Sequence, residues 1–283
     1  MIDLHIHTIA TPHHATWEPE TLAAVAARTG LQVIAATDHN TTAQVRAVQE
    51  AGARHGVRVI SGVEIDSGFP AGRSDDLLPF KLWHTLVYGV DPDAPRLQAL
   101  CREVYERNLA DAAALRIALA DRGFRLDTLG VTQRPPNVAD VGTALARGNE
   151  LPGRLADDDD EIAGMRYILT HMAGAYRPVS VAEVIAVAHG CGGVAVLAHP
   201  GRSKGIYAIP ATSDDIAAMV TAGLDGLEVY YPAHRPEQVE QYTRLAQQHG
   251  LLITGGSDSH HPYQPLARWS IDLCRAFLER TGI

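Results

Sequence analysis

The sequence predicts an α/β fold organised around a parallel β-sheet, for three reasons. Short apolar runs alternate with amphipathic stretches along most of the chain, which is typical of strands connected by helices that cover both faces of a sheet. About seven apolar runs in this rhythm favour a barrel over an open sheet. No G-x-G-x-x-G motif follows the first run, which argues against a dinucleotide-binding Rossmann fold.

The predicted elements begin close to the N-terminus. Pro19 near the start and Gly30 just past the end delimit a helix at Pro19–Arg28. The β-branched, apolar run Gln32–Thr37 is typical of a buried strand. The other predicted strands are Ile2–His7, Val57–Val63, Leu82–Val90, Gly193–Ala198, Gly226–Tyr230 and Leu251–Thr254, and the other helices are Thr42–His55, Ser213–Ala222, Pro236–His249 and Ser270–Arg280.

The alternation is interrupted between Pro95 and Pro178. Arg96–Arg122 has the Ala/Leu/Arg composition and the apolar spacing of a long helix. We interpret the acidic run Asp157–Glu161 as a solvated turn or a helix start. The expected organisation is therefore a first barrel part (residues 1–94), a helical insertion that packs over one end of the barrel (95–178) and a second barrel part (179–283).

The overall charge limits the class of ligand. The formal net charge is −9, so the chain has no basic field with which to bind duplex DNA. A small anionic substrate is compatible with this charge if cations or metal ions reverse the sign within one cleft. Neither an apolar run long enough to span a membrane nor a signal peptide is evident, so we expect no membrane span and a cytoplasmic location. The oligomeric state is left open.

Histidine is abundant, with 14 residues in the chain. His5 and His7 are two positions apart on the first predicted strand, so both side chains point to the same face. Two neighbouring buried imidazoles would each need a partner, and protonating both would bury like charges. A shared metal ion removes both difficulties, so we expect this pair to bind one.

Nearly every predicted strand delivers a His, Asp or Glu at or near its carboxyl end, the end at which parallel barrels assemble their sites. These residues are Asp38, His39, Glu64, His84, His199, Glu228, Asp258 and His260. Nitrogen and oxygen ligands without a thiolate suit zinc, manganese or iron. The candidates exceed the ligands that one catalytic zinc needs, so we expect two or three divalent ions, with Glu64 as the bridging carboxylate.

Six motifs follow one another in order along the chain. They are His5-x-His7, Thr37-Asp38-His39-Asn40, Gly62-Val63-Glu64-Ile65, His84 in an apolar run, Ala198-His199-Pro200 and Asp258-Ser259-His260. This series, from residue 2 to about residue 261, resembles the PHP (polymerase and histidinol phosphatase) family. The resemblance implies a distorted seven-stranded (β/α) TIM-like barrel with a trinuclear metal site, here as a stand-alone metal-dependent phosphoesterase.

The resemblance also implies how the ligands are shared. The family pattern assigns His5, His7, Glu64 and Asp258 to the first metal, Glu64, His84 and His199 to the second, and His39 and His260 to the third. The third metal needs one more ligand from the loop after the first strand, where many relatives carry Thr-x-x-Ser-Asp-Gly. Pro12 stands in the position of that Asp, and another branch of the family uses a histidine one residue later, which is His13 here. His14 is the alternative, and with neither ligand the site holds two ions.

Several other residues are candidates for catalysis or substrate binding. Asp38 is expected to orient a ligand or a bound water, or to cap the following helix. Arg202 and Lys204 follow the His199 motif directly and are predicted to contact substrate, and His234 is the candidate proton donor to the leaving group. Arg134 resembles a substrate-binding position of nucleotide-cleaving relatives that carry Arg-x-His, although the histidine is missing in this chain.

The resulting hypothesis is a phosphohydrolase in which a metal-bound hydroxide attacks a phosphomonoester, while the third ion and Arg202 neutralise the developing charge. A nucleotide is the favoured small substrate, either a 3′,5′-bisphosphate or a short RNA end. The alternatives are a histidinol-phosphate-type phosphatase, an amidohydrolase and a non-catalytic metal-stabilised scaffold. Amidohydrolases share the His-x-His pair but lack the Thr-Asp-His and Gly-Val-Glu motifs, and a scaffold would be expected to have lost ligands.

Overall fold

The structure, a computed structural model, describes residues 1–11, 15–70, 80–130, 134–205 and 209–283. Its strands are β1 (Ile2–Ile6), β2 (Val33–Ala36), β3 (Arg58–Pro70), β4 (Phe80–Tyr88), β5 (Val179–Ser180), β6 (Val194–Leu197), β7 (Gly226–Tyr230) and β8 (Leu252–Gly255). Its α-helices are α1 (Pro19–Arg28), α2 (Val45–His55), α3 (Pro95–Asp121), α4 (Val138–Gly148), α5 (Asp160–His171), α6 (Val181–Gly190), α7 (Ser213–Thr221), α8 (Pro236–His249) and α9 (Arg275–Arg280). Within the described ranges, no helix is long and apolar enough to cross a membrane.

The strands form one sheet in the order β1-β2-β3-β4-β6-β7-β8, and β5 pairs with β3. Backbone hydrogen bonds connect the two ends of this path. The amide of His7 donates to the carbonyl oxygen of Ser259 over 2.9 Å, and the amide of Asp258 donates to the carbonyl oxygen of His5 over 2.9 Å. The first strand therefore lies beside the segment that follows the last one, in a distorted TIM-like arrangement.

The sheet is mixed rather than wholly parallel, which corrects the sequence prediction. β4 runs antiparallel to both of its neighbours, β3 and β6. β3 is also longer than the predicted Val57–Val63, so Glu64 lies within the strand and not at its end. Because β4 is reversed, His84 reaches the site from the middle of its strand, where it is paired with Asp66 of β3.

Strands β1, β2 and β6 are buried along their whole length and on both faces, which explains their nearly continuous apolar sequences. In β6, Val194 and Val196 pack into one apolar cluster, while Ala195 and Leu197 pack into another with residues of α6. This division follows the period of two in a strand. Polar residues in such strands are exceptions that need a partner, and they are concentrated at the site described below.

The helices α3, α4 and α5 surround an apolar cluster of their own, which includes Leu115, Val141 and Ile168. Leu82 of β4 belongs to the same cluster and connects it to the sheet. The acidic run begins a helix, since the Asp159 side chain accepts a hydrogen bond from the Ile162 amide over 2.7 Å and caps α5. These helices lie between β4 and β5 in the chain, and they bring side chains to the edge of the sheet where the histidines meet.

Candidate metal centre

The fully buried carboxylate of Glu64 lies at the centre of a cluster of histidines. Its oxygens lie within 3.3 Å of a nitrogen of five imidazoles, those of His5, His7 and His39 at Oε2 and those of His84 and His199 at Oε1. The five rings come from β1, β4 and the segments directly after β1, β2 and β6. Residues far apart in the sequence therefore meet at one carboxylate.

Asp258, in the segment after β8, completes one side of the cluster. Its Oδ1 atom is 3.1 Å from Nε2 of His7 and 3.6 Å from Nε2 of His5. Its Oδ2 atom faces the other way, 3.4 Å from the hydroxyl of Tyr231 and 3.6 Å from Nη1 of Arg202. One oxygen is thus directed at the histidines and the other at groups that hold the carboxylate in place.

Three groups of side chains each bring potential ligand atoms within 4.8 Å of one another. They are His5, His7, Glu64 and Asp258; His39, Glu64 and His84; and His7, His39 and His260. The first group has the same members as the set that the family pattern assigns to the first metal. His39 belongs to the other two groups, and His260 joins the last of them by stacking on His7 with ring centroids 4.1 Å apart.

Hydrogen bonds on the outer side of the rings determine which nitrogen faces inwards. Nδ1 of His5 lies 3.0 Å from Glu228 Oε1 and therefore carries the proton. Nδ1 of His7 lies 3.2 Å from the Thr11 hydroxyl, whose own proton is donated to Asp38 Oδ1 over 2.6 Å, so this nitrogen is also a donor. In the neutral rings both Nε2 atoms then carry lone pairs, and they face each other at 3.2 Å.

This arrangement fits a divalent cation. Two imidazole lone pairs and the carboxylate oxygens of Glu64 and Asp258 converge on one point. Glu64 Oε2 is buried and has no hydrogen-bond partner among the described residues, despite three imidazole nitrogens at 3.2 to 3.3 Å. Buried polar atoms without partners are costly, and nitrogen and oxygen donors in such a set are typical ligands of zinc, manganese and iron.

The charges at the site are strongly coupled. Burial would raise the pKa of Glu64, but the charges of His5 and His39 outweigh it and hold that pKa well below the usual range. The carboxylate is therefore ionised and available as a ligand. Burial would lower the pKa of His7, but the adjacent carboxylates of Asp258 and Glu64 outweigh it and raise that pKa to about 9. Without a metal ion, protons take its place between the acidic and basic groups.

The backbone is strained at the edge of this cluster. In the described part of the chain, three residues other than glycine have positive φ angles: Asn40 at 55°, His199 at 27° and Asp258 at 57°. Two of them are candidate ligands, and the third follows the candidate ligand His39. Such conformations cost free energy and persist where the surrounding structure enforces them, which is common at functional sites.

The geometry of Asp38 fits the expected orienting role better than a direct role in catalysis. Its side chain is fully buried, and its oxygens accept hydrogen bonds from the amide and hydroxyl of Thr8 and from the hydroxyl of Thr11, over 2.5 to 2.6 Å. Both oxygens are therefore occupied by the loop after β1. Through Thr11, Asp38 fixes the orientation of His7.

A cavity of about 520 Å³ opens directly on the histidine cluster. His39, His84, His199 and His260 line it on the side of the sheet. Residues from α3, α4 and α5 or next to them line the opposite side, and they include Asn108, Asn137, Thr143, Met165 and Tyr176. Its volume lies in the usual range for sites that enclose one small ligand.

The three cationic residues predicted to contact substrate all line this cavity. Arg202 extends from the segment after β6. Lys204 Nζ is 2.7 Å from Glu161 of α5. Arg134 makes two hydrogen bonds, of 2.6 and 3.1 Å, to Asp140 of α4. Cations from the sheet side and from the helical side therefore border the same space.

His234 does not have the geometry of a proton donor to substrate, in contrast to the sequence prediction. Its Nδ1 donates to the carbonyl oxygen of Val229 over 2.9 Å, and its Nε2 accepts the amide of Gly201 over 2.9 Å. With both ring nitrogens engaged by backbone groups, His234 holds the segment that carries Arg202. Burial lowers its pKa, which favours this neutral form.

Asp66 is a site residue that the sequence reasoning missed. Its Oδ1 lies 3.1 Å from Nδ1 of His39 and 3.6 Å from Nε2 of His84, and Asn40 donates to its Oδ2 over 2.9 Å. Asp66 is two positions after Glu64 on β3, so the period of the strand puts both side chains on one face. This spacing of two is visible in the sequence, but the predicted strand Val57–Val63 ended before Glu64 and Asp66.

The predicted ligand His13 and its alternative His14 lie outside the described residues.

Comparisons of sequence and fold show which known proteins this chain is similar to. The family model of the PHP domain matches residues 3–120. The chain is 30% identical to a phosphoribosyl 1,2-cyclic phosphate 1,2-diphosphodiesterase of Eggerthella lenta, with coverage of 91% of this chain and 93% of that protein. It is 29% identical to a 3′,5′-nucleoside bisphosphate phosphatase of Chromobacterium violaceum, with coverage of 92% and 87%. A crystal structure described as a metal-dependent phosphoesterase of Bifidobacterium adolescentis superposes with a TM-score of 0.69 at 26% identity, covering 99% of this chain and 96% of that one.

Proposed function

Because the chain belongs to the PHP domain family of metal-dependent phosphoesterases, we propose that it releases phosphate from a small nucleotide-like monoester that carries a second anionic group. The hydrolase class follows from the family, and the substrate is the proposal. One observation carries it: a single small cavity is bordered by the candidate metal ligands and by Arg134, Arg202 and Lys204.

The metal ligands belong to the proposal as well. His5, His7, His39, Glu64, His84, His199, Asp258 and His260 would hold two or three ions of manganese, iron or zinc, with His13 as a further ligand. When bound, divalent ions lower the pKa of water and neutralise charge on phosphoryl oxygens. The histidine tautomers described above would keep the ligand nitrogens directed at these ions.

Different residues of the chain would bind different parts of the substrate. Arg202, beside Asp258, would contact the oxygens of the phosphate that is cleaved, since a guanidinium offers two parallel donors to such a group. Arg134 and Lys204 would hold the second anionic group near the helices. Both already pair with carboxylates, so an anionic substrate would compete with Asp140 and Glu161 for them.

The size and charge of the site favour a mononucleotide over a polymer. A cavity of about 520 Å³ encloses one small ligand. The net charge of −9 provides no extended basic surface along which a duplex could bind. Selectivity for a small anion would therefore come from the local cations and metal ions alone.

A histidinol-phosphate-type substrate is the second candidate, favoured by the carboxylates of the same cavity. Asp66, Asp140 and Glu161 line it together with the cations. A substrate with a phosphate at one end and an ammonium group at the other could pair with one of these acidic groups. The two candidates differ in the charge of the distal group, which a substrate panel separates.

The test combines elemental analysis of protein purified without chelator with phosphate release from a panel. The panel contains a nucleoside 3′,5′-bisphosphate, a nucleoside monophosphate, histidinol phosphate and an amide substrate. We expect two to three ions per chain, the highest kcat/KM for the bisphosphate, and loss of activity in His199→Gln. His249→Gln is the control, because His249 ends α8 and so lies at the opposite end of the sheet from the site. Absence of bound metal, or cleavage of the amide alone, would contradict the proposal.

A further inference from the structure

Glu228, on β7, is a buried carboxylate that belongs to none of the three groups of candidate ligands. Its side chain is fully buried, yet it is directed at the histidine cluster and not at solvent. Buried carboxylates are rare unless they are paired, so its contacts reveal its role. We propose that Glu228 is a positioning residue that fixes two candidate metal ligands at once, the ring of His5 and the backbone of His199.

The first contact is with the imidazole of His5. Nδ1 of His5 lies 3.0 Å from Oε1 and 3.2 Å from Oε2 of Glu228, so the carboxylate receives this N–H between its two oxygens. The contact places the proton on Nδ1 and leaves the lone pair on Nε2, the atom that faces Glu64 and Asp258. A carboxylate behind a ligating histidine also makes the ligand nitrogen more basic.

The second contact is with the main chain of His199. The amide of His199 donates to Glu228 Oε2 over 2.7 Å. His199 has a φ angle of 27°, which is unfavourable for a residue with a side chain. The hydrogen bond compensates for this conformation and directs the His199 ring towards Glu64 Oε1, 3.2 Å away. One carboxylate therefore links ligands from β1 and from the end of β6.

This position requires a group without donor atoms, because both oxygens of Glu228 face an N–H group of the site. In a Glu228→Gln variant, either orientation of the amide places its new NH₂ group against a donor, the His5 ring N–H on one side or the His199 amide on the other. Either the His5 tautomer is inverted or the His199 backbone loses its partner. The site leaves little room for adjustment, since a Cβ added at Gly256 would lie 2.2 Å from the His5 Cβ and 2.9 Å from Glu228 Oε1.

The inference rests on the proposed function, so its test measures metal binding directly. We would titrate metal-free wild-type protein and Glu228→Gln with Co²⁺, recording the affinity, the number of ions and the visible absorption bands that report coordination geometry. We expect about 10- to 100-fold weaker Co²⁺ binding in the variant, with altered bands. Glu228→Asp, which keeps the charge but is too short to reach both partners, should show the same direction if Glu228→Gln does not fold.

Thr254→Val provides a matched control. Thr254 is paired with Glu228 across β7 and β8, is also fully buried, and its hydroxyl makes no hydrogen bond within the described residues. This variant should bind Co²⁺ as the wild type does. Folded Glu228 variants with unchanged affinity and unchanged bands would overturn the inference and leave the proposed function intact. Wild-type protein that binds no Co²⁺ and releases no phosphate would overturn both.

Discussion

At the scale of single residues, the nitrogens of the candidate metal ligands are oriented by groups that lie behind the imidazole rings, such as Thr11 and Glu228. The hydroxyl of Thr11 accepts from Nδ1 of His7 and from the amide of His39 and donates to Asp38. A single hydroxyl therefore couples two candidate ligands to one buried acid. Removing a hydrogen-bond partner of a ligating histidine commonly weakens metal binding.

Replacing Thr11 by valine should therefore weaken metal binding by about 10- to 100-fold. Valine has nearly the same shape, but it leaves the His7 ring N–H and the His39 amide without their acceptor at a residue that is only 3% exposed. Metal affinity, measured by competition with a chelator, reports this effect. Thr11→Ser keeps the hydroxyl and should stay close to the wild type. Equal affinities of valine and serine variants would show that the hydroxyl does not orient His7.

The sequence could predict some of these residues and not others, for physical reasons. His5 and His7 were predictable because a strand places residues two apart on one face, whatever the tertiary structure. The role of Thr11 was not, because it depends on Asp38, 27 positions away, folding back onto the loop after β1. The role of Glu228 was not predictable either, because its contacts with His5 and His199 form only when β7 lies between β6 and β8.

At the scale of elements, the cavity wall depends on how closely α4 and α5 cross. Gly142 of α4 and Gly164 of α5 are in direct contact: a Cβ added at Gly164 would lie 1.8 Å from the carbonyl oxygen of Gly142. A Cβ added at Gly142 would meet its nearest atom at 3.3 Å. The helices can approach this far only because Gly164 has no side chain.

Gly164→Ala should consequently destabilise the protein by more than the roughly 1–3 kcal/mol typical of overpacking, because the obstacle is backbone. Gly142→Ala is the control in the same contact and should cost clearly less. Thermal unfolding of both variants gives the comparison. Equal melting temperatures for the two variants would mean that the helices are further apart than described.

The helical elements also carry the residue that would discriminate between substrates. Arg134, next to α4, is on the helical side of the cavity, whereas Arg202 is on the sheet side. Arg134→Met should raise KM for a 3′,5′-bisphosphate about tenfold or more, since charge-assisted hydrogen bonds are lost, and should affect a monophosphate much less. Arg147→Met, which removes an exposed arginine of the same helix, is the control. An equal effect of Arg134→Met on both substrates would argue against a second anionic subsite.

Element types were more predictable than strand directions. The helices at Pro19–Arg28 and Pro236–His249 begin and end as predicted because proline at the start and glycine after the end are local signals. The reversal of β4 was not predictable, because a strand buried on both faces has the same apolar sequence in either direction. The reversed strand direction does not remove His84 from the cluster, because His84 lies near the middle of β4 and occupies a similar place in either direction.

At the scale of the whole molecule, the candidate metal centre joins strands from both ends of the sheet. Its members come from β1, β3 and β4 and from the segments after β2, β6 and β8. A bound ion would therefore oppose separation of these strands, and any ligand that binds only the folded state stabilises it by mass action. At a metal concentration 100 times Kd this amounts to about 2.7 kcal/mol, or a rise in Tm of roughly 5 °C for a chain of 283 residues.

This stabilisation should depend on pH in a defined direction. The pKa of His7 is raised from 6.5 to about 9, so in the metal-free protein the proton on His7 contributes stability that is fully present below pH 6.5 and is lost as the pH rises towards 9. The pKa values of Glu64 and Asp258 are held well below their usual range, so their contribution is constant across this window. The metal-free Tm should thus fall from pH 6.5 to 9.

The metal-loaded protein should not follow this fall, because metal ions replace the protons on the ligating imidazoles. The difference between the melting temperatures with saturating metal and with chelator should therefore widen from pH 6.5 to 9, which differential scanning fluorimetry measures directly. His7→Gln removes one of the imidazoles that exchange a proton for metal, alongside His5 and His84, whose pKa values are also raised by neighbouring carboxylates, and it should weaken the dependence. A difference that stays constant or narrows with rising pH in the wild type would contradict the view that protons and metal ions compete for one buried cluster around Glu64.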